Sequence, residues 1–309
     1  MRRALPVLVA LGAFGCGPGS SDVPFARDDH RSLAPVVEAG ADTGVVDPAL
    51  LPPDPLEAWD TAGAGPLTGV FALEAVVKAK VAGSLEVEER QLLRVRIVQR
   101  GRELHEKTTV CTLKLPVVKD VAELTIPQAM TDVLRGQSVE ATGDFLSSDS
   151  PVGATWTPPP SPFLVGASLA HPDSDPLPTE AAPTGQADQD ADGAPGVTVN
   201  ARLVTCGMDV PERLYVALRT SSTISGTITS LDLIEGTDDV SLDLATLGSS
   251  DPACMAAAGP IASQIAVQPG SAITAHRLGD AQDANHDGNV SCAEIEAAAA
   301  TLFGPYWAP

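Results

Sequence analysis

Aromatic side chains are scarce in this sequence, although apolar residues are not. Phe, Trp and Tyr together make up 4% of its 309 residues, and hydrophobic residues of all kinds make up 44%. A sizeable core can therefore form, but Val, Leu, Ile and Ala have to build it. The length is enough for one large domain or for two of ordinary size.

Basic residues are also few. Lys and Arg number 19 against 40 Asp and Glu, which gives a formal net charge of -21 and a sequence pI of about 4.4. Such a surface repels phosphate backbones, and no Lys/Arg cluster interrupts it, so we predict no binding to nucleic acid. The acidic surplus raises the local concentration of divalent cations, although solubility alone accounts for most of these carboxylates.

Local signatures of catalysis are missing. The sequence contains no G-x-S-x-G elbow, P-loop or G-x-G-x-x-G run, and its scattered histidines have no metal-binding spacing. Paired carboxylates such as Glu86 and Glu88 can act as acid and base, but a solvated strand face accounts for them. We therefore predict a non-catalytic protein. A glycosidase-like surface hydrolase is kept as an alternative, because sandwich glycosidases often lack local motifs.

The first apolar run is too short to cross a bilayer as a helix. Arg2 and Arg3 precede an uncharged apolar stretch, residues 4–14, and small residues follow it. A basic start, a short apolar segment and small residues at its end are typical of a secretory signal peptide. We therefore predict that residues 1–15 are a signal peptide.

Residues 11–16, Leu-Gly-Ala-Phe-Gly-Cys, resemble a bacterial lipobox, in which the Cys becomes the lipidated first residue of the mature chain. Ala13 and Phe14 depart from the strictest form of that motif. The resemblance implies a lipid anchor on Cys16. Because Gly17 is not the Asp that retains lipoproteins at the inner membrane, it also implies an outer-membrane location. Ordinary signal cleavage near this site is the alternative.

Beyond Cys16 the chain has an even number of cysteines and no C-x-x-C pair. The missing C-x-x-C argues against a zinc ribbon or a thioredoxin-type redox site. In an oxidising compartment an even number of cysteines predicts disulfides, here two of them, and three pairings stay open. The candidates are Cys111, Cys206, Cys254 and Cys292.

The composition changes near residue 67. Residues 16–66 are rich in Pro, Gly, Ala, Asp and Ser, which predicts a disordered tether behind the lipidated cysteine. From residue 67 onward apolar and polar residues alternate, as at Leu93, Val95 and Ile97. Short strands at a spacing of roughly ten residues, separated by Gly, Asp and Ser turns, predict an antiparallel β-barrel or sandwich over 67–309.

Two stretches break the strand rhythm. Residues 146–196 hold many prolines and are either a long surface connection within one barrel, which we favour, or a linker between two domains. Near the C-terminal end Ile295, Ala298, Ala299 and Leu302 recur at helical spacing. This stripe predicts a helix that docks on the sheet.

The strongest local pattern is segment 283–294, DANHDGNVSCAE, which fits D-x-[DN]-x-[DN]-G-x5-E at every specified place. Calcium takes about six to eight oxygen ligands. Side chains at loop positions 1, 3 and 5 point to one centre, the Gly permits the sharp turn, and the final Glu offers both oxygens. The predicted Ca²⁺ ligands are Asp283, Asn285, Asp287, the carbonyl of Asn289, Ser291 through a water, and Glu294.

The segment resembles the EF-hand family over this loop and the helix that follows, 283–303. It departs from that family upstream, because residues 271–277 alternate like a strand, and no second full loop is present to pair with it. We therefore expect a structural site with an affinity of ~10⁻⁴–10⁻³ M, weaker than that of sensor proteins. The alternative is an Asx-rich turn that caps the helix, with Glu294 at the positive end of its dipole.

A second acidic run reproduces the first half of the same pattern. Asp188, Asp190 and Asp192 precede Gly193 and occupy positions 1, 3 and 5, but the twelfth position is Val199, which cannot ligate. Calcium here needs a further carboxylate from elsewhere in the fold. The run is a candidate second metal site, with a plain acidic turn as the alternative.

The passage DADGAPGVTV, 190–199, resembles a DxDGxPGVT run that recurs in predicted lipoproteins of Gram-negative soil bacteria, over residues 160–303. The resemblance implies an envelope location and a β fold, and it brings no known activity. Together these patterns predict a calcium-binding, lipid-anchored envelope protein whose partner is the membrane. The runner-up is a lipocalin-like barrel for a small apolar ligand, which the scarcity of aromatics weakens.

Replacing the predicted lipidation site tests the anchor. We expect Cys16→Ser to release the mature chain from the membrane fraction or to block its processing, because serine offers no thiol to the lipid. Cell fractionation followed by blotting of the mature chain measures this. Unchanged membrane association with normal maturation would contradict the prediction.

Overall fold

The computed structural model describes residues 61–81, 85–115, 117–118, 122–203, 212–252 and 265–308. All of these belong to one compact unit of the chain, 46–309. The predicted signal peptide, Cys16 and most of the tether lie outside the described residues, as do Cys206 and Cys254. Within the described part, no helix is both long enough and apolar enough to span a membrane.

Antiparallel strands dominate the described chain, which confirms the predicted fold class. They form one sheet that curls into a half-barrel. The strands are β1 Gly69–Val81, β2 Leu85–Arg100, β3 Glu103–Lys114, β4 Val117–Val118, β5 Ala122–Thr125, β6 Ser138–Asp144, β7 Thr155–Trp156, β8 Ser161–Val165, β9 Val197–Leu203, β10 Glu212–Ser230, β11 Leu233–Ser249, β12 Ile265–Val267 and β13 Ser271–Arg277.

The strand order interleaves the two halves of the sequence. Along the sheet it reads β4-β5-β9-β10-β11-β13-β1-β2-β3-β6, while β12 pairs with β1, and β7 and β8 pair with β10. Strands from both sides of the Pro-rich stretch 146–196 therefore share one sheet, and that stretch itself contributes β7 and β8.

The central strands are longer than the sequence pattern predicts. β10 has 19 residues and β11 has 17, and the two pair along most of their length. Ser and Asp residues, which we expected to form turns between short strands, lie inside these strands: Ser222 pairs with Val240, and Thr223 pairs with Asp239. The expectation was wrong because backbone hydrogen bonds to neighbouring strands hold polar residues in a ladder regardless of their side chains.

Alternation along β1 separates two faces of the sheet. Leu73, Ala75 and Val77 point to the concave side, where they line an interior cavity. Ala72 is fully buried on the convex side, within the cluster beneath the C-terminal helix. Successive side chains of a strand point to opposite faces, so this single strand contributes to both cores.

A short helix that the sequence pattern did not reveal covers part of the concave side. This helix, α1, spans Gln128–Gly136 and contacts β3 and β9. Met130 and Leu134 are buried there among aliphatic residues of the strands. With Val133 they have helical spacing, but a pattern this short does not separate a helix from a strand.

The predicted C-terminal helix is confirmed as α2, Cys292–Phe303, and it docks on the convex face. Ile295 and Ala299 of the predicted stripe are buried there. They belong to the same apolar cluster as Ala72 of β1 and Leu92 of β2. Ala299, Ala300 and Cys292 of the helix are small, so the helix buries little apolar area by itself.

Three links hold α2 and the segment after it. A disulfide joins Cys111 of β3 to Cys292, the first residue of the helix, so two of the four candidate cysteines pair in this way. Arg135 of α1 donates to both carboxylate oxygens of Glu296, at 2.6 and 2.7 Å. Trp307, in the 3-10 turn that follows the helix, donates from Nε1 to the carboxylate of Glu74 on β1 at 2.7 Å.

Removing the disulfide tests how far α2 depends on it. We expect the double variant Cys111→Ala, Cys292→Ala to lose about 2–5 kcal/mol of unfolding free energy, because the bond closes a long loop of the unfolded chain. Urea unfolding measures the loss, and hydrogen exchange should show α2 losing protection first. An unchanged urea midpoint with full protection of α2 would contradict this prediction.

Candidate metal sites and interior cavity

The loop 283–294 lies between β13 and α2, so a strand precedes it, as predicted. Asp283 accepts hydrogen bonds from the backbone N–H groups of Asp287, at 3.2 Å, and Gly288, at 2.8 Å. Asp287 in turn accepts from the N–H of Asn289 at 2.8 Å. Gly288 has φ 82, a left-handed conformation that favours glycine. These bonds turn the side chains at positions 1 and 5 toward the inside of the loop.

Glu294 closes the loop from its far end. Its Oε1 accepts from the N–H of Asn285 at 3.1 Å, and its Oε2 accepts from the N–H and the hydroxyl of Ser291 at 2.8 and 2.9 Å. Ser291 is the N-cap of α2, and the two residues form a capping box. Glu294 is therefore only 2% exposed. Glu294 therefore caps the helix, as the alternative interpretation of this segment expects. It also contacts position 3 of the loop, Asn285, as a calcium loop requires.

The other predicted ligands of this loop lie around the same turn. Asn285 accepts from the N–H of Asp287 at 3.1 Å and donates from Nδ2 to its carboxylate at 3.2 Å. The Ser291 hydroxyl is engaged with Glu294. Val290, at the eighth position, is 5% exposed and packs in the apolar cluster with Leu92. The loop is thus anchored to the convex face of the sheet.

The second acidic run has the same local structure as the first half of that loop. Asp188 accepts from the N–H groups of Asp192, at 3.2 Å, and Gly193, at 3.0 Å, and Asp192 accepts from the N–H of Ala194 at 2.9 Å. These are the three bonds that positions 1 and 5 make in loop 283–294. The left-handed positions also agree, since Ala191 has φ 55 and His286 φ 56.

The two loops differ at their ends. Position 11 of the second loop is Thr198, whose N–H donates to Asp190 at 2.8 Å and whose hydroxyl donates to Asp192 at 2.6 Å. Val199, at position 12, is 7% exposed and belongs to the concave core. The second loop is therefore closed by hydrogen bonds from a threonine, without the twelfth carboxylate of the first.

Three carboxylates nevertheless crowd together in the second loop. Asp188, Asp190 and Asp192 each offer an oxygen within 4.8 Å of the others, and no other three His, Cys, Asp or Glu side chains of the described ranges come that close. Oδ1 of Asp190 is buried without a hydrogen-bond partner. Burial chiefly, and then the charges of Asp192 and Asp188, raise the pKa of Asp190. A cation would relieve this repulsion.

An interior cavity of about 300 Å³ lies on the concave side of the sheet. Its walls are mainly aliphatic, and three carboxyl groups also line it, those of Glu89, Glu106 and Asp238. None of the three was predicted as a site residue. The signal was present, because Glu89 alternates in phase with the inward-pointing Val87 and Leu93.

Glu106 lies beside Trp156 in the wall of the cavity. The indole Nε1 of Trp156 donates to its carboxylate at 2.5 Å, and Glu106 is 4% exposed. Burial raises the pKa of Glu106 to about 7, and the hydrogen bond from Trp156 opposes the rise. Burial likewise raises the pKa of Glu89, against a hydrogen bond from Gln91.

Asp238 has an unsatisfied oxygen. It is 4% exposed, and its Oδ1 has no hydrogen-bond partner. Ser271, directly opposite on β13, is 0% exposed, and its Oγ also lacks a partner. Burial raises the pKa of Asp238 to about 6, against a hydrogen bond from the hydroxyl of Ser222.

Comparison with known proteins identified no relative. No family model, no curated protein and no solved structure matches the chain. No catalytic family is therefore identified, and any function has to follow from the chemistry of these sites.

The pH dependence of stability tests the buried state of Glu106. Its pKa in the folded chain, about 7, lies above the ordinary value of 4.5, so the folded state binds the proton more tightly than the unfolded state. The contribution of Glu106 to stability is then fully present below pH 4.5 and is lost as the pH rises through about 7, a loss of about 3 kcal/mol. Urea unfolding at several pH values, with calcium held constant, measures this loss.

Glu106→Gln keeps an acceptor for Trp156 and removes the titration. We expect it to flatten this part of the pH profile and to stabilise the chain above pH 7. The exposed Glu103 of the same strand offers a matched control, Glu103→Gln, which should leave the profile as it is. Identical profiles for the two variants would contradict the assignment.

Proposed function

We propose that the chain is a calcium-binding, lipid-anchored envelope protein without catalytic activity, in which Ca²⁺ fixes the C-terminal helix on the sheet. One observation carries the proposal. The side-chain oxygens of loop 283–294 are turned inward by backbone N–H groups, and Glu294 reaches back from the helix to the third position of the loop. The ligands thus lie around one turn, but the carboxylate oxygens of Asp283, Asp287 and Glu294 do not all come within 4.8 Å of one another, so a bound cation has to draw them together.

The donor chemistry fits calcium. Asp283, Asn285, Asp287 and Glu294 offer only oxygen ligands, and the carbonyl of Asn289 can add another. Hard divalent cations such as Ca²⁺ prefer oxygen donors of this kind, whereas zinc and copper favour sulfur and imidazole. Three of the four side chains are carboxylates, so their mutual repulsion also favours a bound cation.

The position of the loop supports a structural role. Sensor EF-hands open an apolar groove between two helices, but here strand β13 takes the place of the first helix. The second helix, α2, buries few large side chains and begins at the loop itself. A metal bound only by the folded state stabilises it by about 2.7 kcal/mol at a hundredfold excess over Kd. That gain would go to a helix that buries few large side chains.

The loop 188–193 is proposed as a second, weaker calcium site. Its three carboxylates lie within 4.8 Å of one another, and its first seven positions are folded like those of the first loop. It lacks the twelfth carboxylate, because Val199 is part of the core. Bound calcium would therefore keep more water ligands there, which lowers its affinity.

The proposed envelope location agrees with the cysteine chemistry. The Cys111–Cys292 disulfide of the described chain is typical of proteins folded in an oxidising compartment. Calcium outside the cytoplasm commonly reaches the concentrations at which unpaired loops bind, on the order of 10⁻⁴–10⁻³ M. The lipobox-like sequence before Cys16 supports the membrane anchor.

Calcium titration of the Glu294→Gln variant separates ligation from capping. Gln can keep the capping box through its one amide oxygen but loses the hydrogen bond from the N–H of Asn285, so with calcium removed by a chelator the variant should melt slightly below the wild-type chain. With calcium in excess, the melting temperature of the wild-type chain should rise, and that of the variant should rise much less. Differential scanning calorimetry measures both.

Ser291→Ala provides the complementary control. It removes the N-cap and should cost about 1 kcal/mol without calcium. Because Ser291 is predicted to ligate through a water, the variant should lower the calcium shift less than Glu294→Gln does, whereas Asp188→Asn should leave the main calcium shift intact. A wild-type chain whose melting temperature and α2 protection are the same with and without calcium would show that 283–294 is an ordinary capped turn. That result would overturn the proposal.

A further inference from the structure

The concave interior is an apolar space whose wall includes a buried carboxyl group with a free oxygen. Its volume is about 300 Å³, the liquid volume of roughly ten water molecules and the lower end of the range for small-molecule sites. Val240, Leu242 and Leu244 of β11 line one wall, and Leu73, Ala75 and Val77 of β1 line another. Water beside such walls finds few hydrogen-bond partners, so an apolar occupant displaces it favourably.

The buried carboxyl group with a free oxygen is that of Asp238. A buried acceptor without a donor is costly, and native proteins seldom leave one. Asp238 keeps such an oxygen at 4% exposure, and the unpartnered hydroxyl of Ser271 lies opposite it on the next strand. Asp238 lines the cavity, whereas Ser271 is not among the described residues that line it. A ligand in the cavity that carries hydrogen-bond donors would satisfy the free oxygen of Asp238.

The ionisable groups in the cavity wall determine which charge a hydrogen-bonding ligand should carry. Its ionisable lining groups are Glu89, Glu106 and Asp238, and no Lys, Arg or His is among the described residues that line it. Glu89 faces Val77 across the β1–β2 pair, and Val77 also lines the cavity. Carboxyl groups therefore occur on β2, β3 and β11 without a basic partner. An anionic ligand would meet repulsion here, and a cationic one would meet attraction.

We infer that the concave cavity binds a small cationic amphiphile, a molecule with an unbranched hydrocarbon body and a primary ammonium head, and that Asp238 receives the head. The body replaces water along the aliphatic walls. The ammonium group carries three N–H donors, one of which Asp238 Oδ1 can accept. Asp238 is a binding residue in this inference, and no covalent step takes place.

This site is independent of the proposed calcium function. The calcium loop packs on the convex face through Val290, whereas the cavity lies on the concave face of the same strands. A chain that binds calcium and no amphiphile, or the reverse, would therefore decide the two proposals separately.

Three probes that share a ten-carbon body test the head group. Decylammonium, 1-decanol and decanoate are titrated into the mature chain at pH 7.5, below the concentrations at which they aggregate, with heat of binding as the readout. We expect decylammonium to bind most tightly, decanol more weakly and decanoate not measurably. This comparison needs no variant, so it holds even if a substitution impairs folding.

Asp238→Asn keeps the size of the side chain and removes its charge. We expect it to weaken decylammonium binding about tenfold or more, because hydrogen bonds between charged groups are the strong ones, and to leave decanol within about twofold. Asp239→Asn is the matched control, because Asp239 is the next residue of β11, has the same side chain and is exposed. It should leave both affinities as they are.

Several results would overturn the inference. Decanoate binding as tightly as decylammonium would show that the carboxyl groups do not select charge. Equal effects of Asp238→Asn and Asp239→Asn would show that the head does not lie at Asp238. Failure of all three probes to bind would show that the interior does not take such a ligand at all.

Discussion

The register of β1 against its two neighbours determines both faces of this protein. β1 pairs with β2 from Gly69 to Val81, and with β13 from Phe71 to Val76. Because side chains alternate along a strand, a slip of one residue would exchange the cavity wall for the face that carries α2. The aliphatic lining and the docking of the helix therefore depend on the same set of backbone hydrogen bonds.

Carboxylates on this acidic chain have two different environments. In the loops, Asp188 and Asp283 each accept two backbone N–H groups, so the fold itself supplies donors to their charge. In the interior, donors are too few, and burial raises the pKa of Glu106 and of Asp238. In the loops, backbone donors orient the carboxylate oxygens so that a cation can bind them. In the interior, the carboxylate oxygens lack enough hydrogen-bond donors. Both follow from where the backbone N–H groups point.

The parts of the fold that were predictable from sequence are local ones. Alternation identified the β class and strand β13, the helical stripe identified α2, and a short residue pattern identified the loop 283–294. The cavity required contacts between distant residues, such as Glu106 with Trp156 and Asp238 with Ser271. No local pattern specifies which strands become neighbours, so the disulfide pairing could not be deduced. Alternation alone could place Glu89 on the inward face, but it could not bring the interior carboxyl groups to one cavity. For the same reason the polar residues inside β10 and β11 were mistaken for turns.

The scarcity of aromatic residues has a structural meaning that composition alone did not suggest. We took it as an argument against a ligand-binding barrel, since such sites are commonly lined by aromatic side chains. In the half-barrel, however, the inward positions are held largely by Val, Leu and Ala, and of the aromatic residues in the described ranges only Trp156 and Phe163 line the cavity. Side chains of this size cover a curved sheet without reaching its centre. The space inside the half-barrel is therefore a consequence of the same composition, because larger residues at these positions would fill it.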